Sequence, residues 1–280
     1  MTLPPDSHVH SEWSWDAPLG SMERSCARAY DLGLPAIAFT EHLDHTVWTL
    51  VGDGLESDEH LAAVATPDGR VIPPAFDVSG YLEAVERCRE RFPSMRILSG
   101  LEIGEPHWHA AAAADVLGRG RFDRVLGSLH CLPDGNEFAE PPGLYRHREA
   151  AEVIRQYLAE VATLVTESDA FSVLAHIDYP VRYWPAHARP FDPYAFEDDF
   201  RHALRLLAGS GRALEVNTRI PLHPEIVRWW REEDGSAITF GSDAHEPAAV
   251  AGGFAEAAAM VEAHGFRPGR HPYDVWTRPA

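Results

Sequence analysis

Six histidines and three carboxylates in this chain stand where metal chemistry would need them. His8 and His10 form an H-x-H pair near the N-terminus. On a strand, side chains i and i+2 share a face, so both imidazoles can reach one ion. Asp16 follows six residues after His10. His42 closes Thr40-Glu41-His42, Glu102 follows the apolar run 96–101, and His130 closes Ser128-Leu129-His130. His176 opens His176-Ile177-Asp178, and Asp243 and His245 lie in the stretch 241–245. A lone histidine at any of these places is most often a hydrogen-bonded structural residue. Five successive strand ends that each deliver a His or an acid are hard to explain by packing. Imidazole and carboxylate without thiolate suit Zn, Mn or Fe in a hydrolytic site. The donors are too many for one ion, so two or three divalent ions are expected. Their charge would outweigh the three carboxylates and make a positive mouth, fit for a phosphate, in an acidic protein. Clustered ions also supply hydroxide near neutral pH and neutralise charge growing on a phosphoryl group.

These residues need elements that bring them together. Short apolar runs predict strands at 36–40, 96–101, 124–129, 171–175, 213–216 and 237–240. Amphipathic spacing predicts helices over 21–32, 78–92, 148–167, 192–208, 224–231 and 247–264, the first with Ser21 as N-cap and Gly33 as its stop. Strands alternating with helices imply parallel βαβ units, hence an α/β barrel or a doubly wound sheet. In both, the C-terminal strand ends converge on the active site. Segments 45–77 and 132–147 lack periodicity and are rich in Gly, Pro and acids. Long loops in a compact domain are often functional, so these are either covers for the site or solvated excursions. Trp13, Trp15, Trp48, Trp229 and Trp230 are expected to pack, with Trp13 or Trp48 the candidates for lining a pocket. Cys131 is expected to face away from His130.

The bulk numbers narrow the class. The 280 residues fit one α/β domain over 1–280. Hydrophobic residues make up 45% and charged ones 24%, and no apolar run is long enough for a membrane span. The net charge of −19 argues against a nucleic-acid partner. Cys26, Cys88 and Cys131 are scattered and odd in number, and residues 1–10 lack the pattern of a signal peptide. A cytoplasmic location with free thiols is expected. Oligomeric state is not legible.

The ordered motifs resemble the PHP (polymerase and histidinol phosphatase) family. They are HVH at 8–10, TEH at 40–42, the Glu of GLEI at 100–103, GSLH at 127–130, AHID at 175–178 and GSDAH at 241–245. The resemblance implies a distorted (β/α)7 barrel with a trinuclear metal centre. It implies one ion on His8, His10, Glu102 and Asp243, and a second that shares Glu102 and adds His130 and His176. A third would take Asp16, His42 and His245, with Asp16 standing where relatives often carry His. AHIDYPVRY at 175–183, LEVNTR at 214–219 and the stretch 264–276 resemble the histidinol-phosphate phosphatase branch. That branch implies hydrolysis of L-histidinol phosphate. The alternatives are a phosphoesterase for a nucleotide or sugar phosphate, or a non-catalytic metal-binding module. Arg182 and Arg219 are the candidates for gripping the phosphate, since guanidinium binds its oxygens bidentately. Glu41 or Asp178 would orient imidazoles, and Glu215 or Asp178 would meet the substrate's amine or imidazole.

Overall fold

The computed structural model describes residues 3–50 and 64–279. The elements run β1 (Asp6–Val9), α1 (Met22–Asp31), β2 (Ala36–Leu43), β3 (Trp48–Thr49), β4 (Arg70–Val71), α2 (Val78–Arg91) and β5 (Arg96–Gly104). Then come α3 (Ala110–Leu117), β6 (Arg124–Ser128), β7 (Leu132–Asp134), β8 (Glu137–Ala139), α4 (Pro141–Leu144), α5 (Ala150–Glu167) and β9 (Val173–Leu174). Two 3-10 turns, Tyr179–Tyr183 and Pro193–Phe196, lead to α6 (Glu197–Gly209), β10 (Ala213–Asn217), α7 (Pro224–Glu232), β11 (Ala237–Gly241), α8 (Phe254–Ala263) and β12 (Trp276–Thr277).

The main sheet has the order β1-β2-β5-β6-β9-β10-β11-β12. All pairs are parallel except β11–β12. Val9 bridges Ala244 in parallel, the His10 N–H donates to the Ala244 carbonyl (2.9 Å), and the Asp243 N–H donates to the His8 carbonyl (2.8 Å). Those bonds bring β1 back against the end of β11, so seven parallel strands curl into the distorted barrel and β12 stays outside the ring. The Asp6 carboxylate fastens this seam. It accepts from the Ser242 N–H (3.0 Å), the Ser242 hydroxyl (2.6 Å) and the Ala251 N–H (2.9 Å).

The strands are continuous apolar runs because helices cover the outside of the barrel and side chains fill the inside. Their polar breaks, Thr40, Glu41, Glu102 and Glu215, are all buried. Ser21 caps α1 and Gly33, at φ 69°, turns the chain after it, as their residue types require. Along α5, Val153, Ile154, Tyr157, Leu158, Val161, Leu164 and Val165 are buried in a core shared with α6 and α7, where Trp229 and Trp230 are fully enclosed. Burying each such aliphatic side chain contributes about 1.5–3 kcal/mol.

The two aperiodic segments contain structure that the sequence did not announce. β3 pairs antiparallel with β4, and β7 with β8. Their strands are two or three residues long, too short to show a hydrophobic period. Each hairpin follows the C-terminal end of a barrel strand, so both sit at the mouth, and Thr49 Oγ1 donates to Glu137 Oε2 (2.8 Å) between them. Residues 51–63 of the first segment lie outside the described residues. No helix among the described residues is long and apolar enough to cross a membrane.

Candidate metal centre

All nine residues singled out as metal ligands meet at the C-terminal mouth of the barrel. His8 Nε2 and His10 Nε2 lie 3.0 Å apart. Glu102 Oε2 is 3.2 Å from the first and 3.4 Å from the second, and Asp243 Oδ1 is 3.8 and 3.4 Å away. On its other side, Glu102 Oε1 faces His176 Nε2 at 2.7 Å and His130 Nε2 at 3.2 Å. Asp16 Oδ2 lies 3.0 Å from His245 Nε2 and 3.3 Å from His42 Nε2. Glu102 thus stands between two groups, and His10 stacks on His42 (ring centroids 4.2 Å apart), adjoining the third.

Buried partners behind these side chains fix their orientation. His8 Nδ1 lies 2.6 Å from Glu215 Oε1, whose other oxygen accepts from the His176 N–H (2.8 Å). Gly241 leaves room for this, since a Cβ there would collide with Glu215 and His8. His10 Nδ1 lies 2.9 Å from Ser14 Oγ, which donates to Glu41 Oε2 (2.6 Å) and accepts from the His42 N–H (3.0 Å). Glu41 is held in turn by the Ser11 N–H and hydroxyl. Glu41 therefore acts on His10 through a serine. Asp243 is at φ 53°, a left-handed conformation uncommon for a side-chain-bearing residue, directly after β11. Its backbone is held on the His8 carbonyl, so the seam that closes the barrel also sets this carboxylate.

These contacts test whether a cation fits. With Nδ1–H of His8 donating to Glu215 and Nδ1–H of His10 donating to Ser14, both Nε2 atoms present lone pairs to one another at 3.0 Å. Carboxylate oxygens surround the same point. Glu102 Oε2, Asp16 Oδ1 and His176 Nδ1 are buried without a hydrogen-bond partner. So many converging electron-pair donors at hydrogen-bond distance or little more call for positive charge among them. In the metal-free chain protons supply it. Burial alone would lower the His8 pKa, but Glu215, Glu102 and Asp243 hold it well above its usual range. His130 is likewise raised against burial, by Glu102 and Asp44. Conversely, against the upward push of burial, His8, His42 and His130 hold the Glu102 carboxyl well below the usual range. Divalent ions fit this donor set, and no thiolate contributes.

Above the cluster is a cavity of about 240 Å³. Arg182 and Arg219 both border it. Arg182 is nearly buried, pairs with Asp243 Oδ2 at 2.5 Å and lies over the Tyr179 ring. Arg219 is about half exposed and donates to the Asp243 carbonyl (3.1 Å) and towards His245 Nδ1 (2.8 Å). The structure does not bring Asp178 to the cavity. It is buried behind the wall at the start of the 3-10 turn Tyr179–Tyr183, where burial pushes its carboxyl up to about 6. Glu215 lies beneath His8 and does not border the cavity either. Trp48 lines the cavity, whereas Trp13 packs against Tyr81. Trp15 and Cys131, expected to pack or point away, also border it. Cys131 lies past the end of β6, so strand alternation no longer governs its direction. Among the described residues His107 and His109 join no ligand group; they meet Glu160 (2.8 Å) and Thr46 (2.9 Å).

Sequence reasoning missed Asp44, Glu105 and Glu140. Asp44 Oδ2 lies 3.4 Å from His42 Nδ1 and accepts from Trp15 Nε1 (2.9 Å), and its Oδ1 lies 3.6 Å from His130 Nδ1. Its signal was its place two residues after His42. Glu105, at φ 45°, accepts from Thr46 Oγ1 (2.5 Å) and from the N–H groups of His130 (2.6 Å) and Cys131 (2.9 Å). Glu140 comes from the β8–α4 junction, which has no periodic pattern to mark it.

Similarity to known proteins can be set beside this geometry. The chain is 28% identical over 275 residues to a Deinococcus radiodurans protein named "Probable histidinol-phosphatase", covering 94% of each. It is 25% identical over 253 residues to the histidinol-phosphatase of Lactococcus lactis, covering 86% of this chain and 83% of that one. The crystal structure of histidinol phosphate phosphatase from Lactococcus lactis, complexed with Zn, L-histidinol and phosphate, superposes with a TM-score of 0.79 at 21% identity, over 98% of this chain and 99% of that one. The sequence profile of the PHP domain matches residues 6–219, which carry seven of the nine converging residues, while Asp243 and His245 complete the cluster from beyond that span. With three quarters of its length matched by that profile, the chain belongs to the PHP domain family.

Proposed function

We propose that this chain is a metal-dependent phosphatase that hydrolyses L-histidinol phosphate to L-histidinol and phosphate, a step of histidine biosynthesis. The observation that carries the reading is the facing pair of His8 and His10 Nε2 atoms, ringed by Glu102 and Asp243, at the floor of a small cavity flanked by two arginines. Full-length similarity to histidinol-phosphatases supports the choice of substrate. The three groups suit three divalent ions, on His8/His10/Glu102/Asp243, on Glu102/His130/His176 and on Asp16/His42/His245. Zinc is the first candidate, with Mn or Fe as alternatives of similar ligand preference. When bound, such ions polarise phosphoryl oxygens and make hydroxide available near neutral pH.

The chain's own residues do the rest. Arg182, held against Asp243 and the Tyr179 ring, presents its guanidinium to the phosphate from a fixed direction, and Arg219 does so from the open side. Glu215 and Ser14 with Glu41 keep His8 and His10 aimed inward through their Nδ1 atoms, and the Asp44 carboxylate lies near the Nδ1 atoms of His42 and His130. Residues 1–280 act as one such domain. Its buried free thiols suit the cytoplasm, and its net charge of −19 suits a small ester rather than a nucleic acid.

Phosphate release tests this. The purified chain, loaded with Zn or Mn, is given L-histidinol phosphate, nucleotide monophosphates, sugar phosphates and p-nitrophenyl phosphate, with and without chelation. A chelator-sensitive preference for L-histidinol phosphate is expected. Preference for another ester would move the assignment to that substrate, and no turnover in the metal-loaded chain would leave a binding module.

A further inference from the structure

The inward face of the barrel carries charge at both ends. On β5, Arg96, Leu98 and Glu102 share that face by alternation, and Glu102 reaches the histidine cluster. Leu126 pairs in register with Glu102 and Val173 and packs with Ala175 and Ala213. β6 therefore presents Leu126 and, two residues earlier, Arg124 to the same interior. Arg96 lies six residues, roughly 20 Å of strand, before Glu102. The N-terminal ends of β5 and β6 thus bring two arginines to the foot of the barrel, opposite its mouth. The segment 269–277, anchored by β12 on β11 and by Arg267 on Thr277, borders the same cavity of about 520 Å³ and adds Arg270.

Among the described residues no carboxylate forms an ion pair with Arg96, Arg124 or Arg270, although the chain has 43 acidic residues against 24 basic ones. The two acids that border this cavity are engaged elsewhere. Asp123 Oδ2 accepts from Arg89 Nη2 (2.7 Å) and the Ser99 N–H (3.1 Å), and Asp274 Oδ2 accepts from the His271 N–H (2.8 Å). Arg96 lies over the Tyr273 ring, 4.4 Å from its centroid, which uses the face of the guanidinium and leaves its N–H edge free. Exposed arginine heads are met by water, but Arg124 is not one of them. Its Nε is fully enclosed and has no hydrogen-bond partner. Burial lowers its pKa, with Asp123 opposing less strongly, yet a guanidinium keeps its proton in proteins. Its charge therefore stands in the protein with no counter-charge in contact, a costly arrangement unless an anion joins it.

We propose that this cavity is a second anion site, in which Arg124, Arg96 and Arg270 bind a small multivalent oxyanion of the phosphate class, remote from the metal centre. A tetrahedral oxyanion takes several N–H donors at once, and guanidinium forks match its oxygen edges. Bound there, it would tie the segment 269–277 to β5 and β6. The site is independent of the function proposed above, since none of its residues borders the cavity over the histidine cluster.

The test is equilibrium dialysis of radiolabelled inorganic phosphate against the metal-loaded chain, at fixed ionic strength in chloride. A bound phosphate is expected that the His8→Ala/His10→Ala variant retains. Its Kd should rise at least about 10-fold in Arg124→Gln and in Arg270→Gln, the range of a lost charge-assisted hydrogen bond. Arg270 is exposed, so its variant keeps the test open should Arg124→Gln fail to fold. Phenylphosphonate, a stable stand-in for a phosphomonoester, separates two sources of the same chemistry. If it displaces the phosphate, the site takes phosphate esters; if it does not, the site takes the free ion. Phosphate binding that is the same in both arginine variants as in the unaltered chain, or that vanishes in the His8→Ala/His10→Ala variant, would overturn the site.

Discussion

The floor and the wall of the cavity are built on different terms. On the floor, the residues other than Asp16 come from the ends of barrel strands or just after them, and several are enclosed and backed by a second buried partner. His8 rests on Glu215, His10 on Ser14 and Glu41, and Asp243 on the seam between β1 and β11. On the wall, Trp48, Glu140, Tyr179 and Tyr183 come from a short hairpin, a strand–helix junction and a 3-10 turn, and among the described residues the Glu140 carboxylate has a single long hydrogen bond. A floor with doubled support holds reacting groups still, as metal chemistry requires. A wall with spare hydrogen-bonding capacity can distinguish one alcohol from another. Relatives that share the floor can thus differ in substrate by changing the wall alone.

That contrast can be broken from the floor first. The double variant His8→Ala/His10→Ala is expected to lose bound metal by elemental analysis and to lose phosphate release by more than about 100-fold, beyond the range for a residue that only supports a ligand. Full activity in this variant would remove the floor from the chemistry. Glu215→Gln keeps the shape but weakens the hold on His8. It should cost roughly 10- to 100-fold in metal affinity, read by competition with a chromogenic chelator.

Metal uptake should also depend on pH. Because His8, His42 and His130 have raised pKa values in the metal-free chain, they stay protonated above their ordinary 6.5, and an entering ion must displace those protons. Apparent affinity should therefore rise with pH through and above 6.5 and fall below it. Calorimetric titration with metal in buffers of different ionisation enthalpy should show net proton release at neutral pH. Uptake without proton release would contradict the charge balance assigned to the floor.

Smaller effects lie away from both regions. Leu158→Ala, in the α5 core, should cost about 2–5 kcal/mol in denaturant unfolding while leaving the metal-to-protein ratio of the folded chain as it was. Arg119→Ala removes an exposed i,i+4 pair with Asp115 on the surface around α3. It should shift stability by at most about 0.5 kcal/mol.

The floor was legible because its residues interrupt strands. Glu102 follows an apolar run, and His42 and His130 end such runs. A buried strand that terminates in an acid or imidazole announces a polar site at the mouth. Asp44 was within reach of the same reasoning, two residues beyond His42. The helices were legible too, since Ser21 with Gly33 and the spacing of Val153, Leu158 and Val161 are local signals. The wall was not. The β3–β4 and β7–β8 hairpins are too short to carry a period, and Cys131 and Glu140 lie where strand alternation has lapsed.

By itself, then, the sequence determined most of the barrel strands and the helices between them, and the polar side chains carried at those strand ends and, for Asp16, in the loop after β1. These follow from periodicity, capping and the placement of polar residues, all properties of neighbours along the chain. Only the tertiary structure decided that Val9 meets Ala244 and closes the ring, that Glu215 lies against His8 and away from the cavity, and that Asp178 does not border it. It also decided that Glu140 reaches the cavity with acceptor capacity to spare. The reason is physical: a carboxylate's role is set by the groups that face it after folding, and for Glu215 the facing group, His8, lies 207 residues away in the chain.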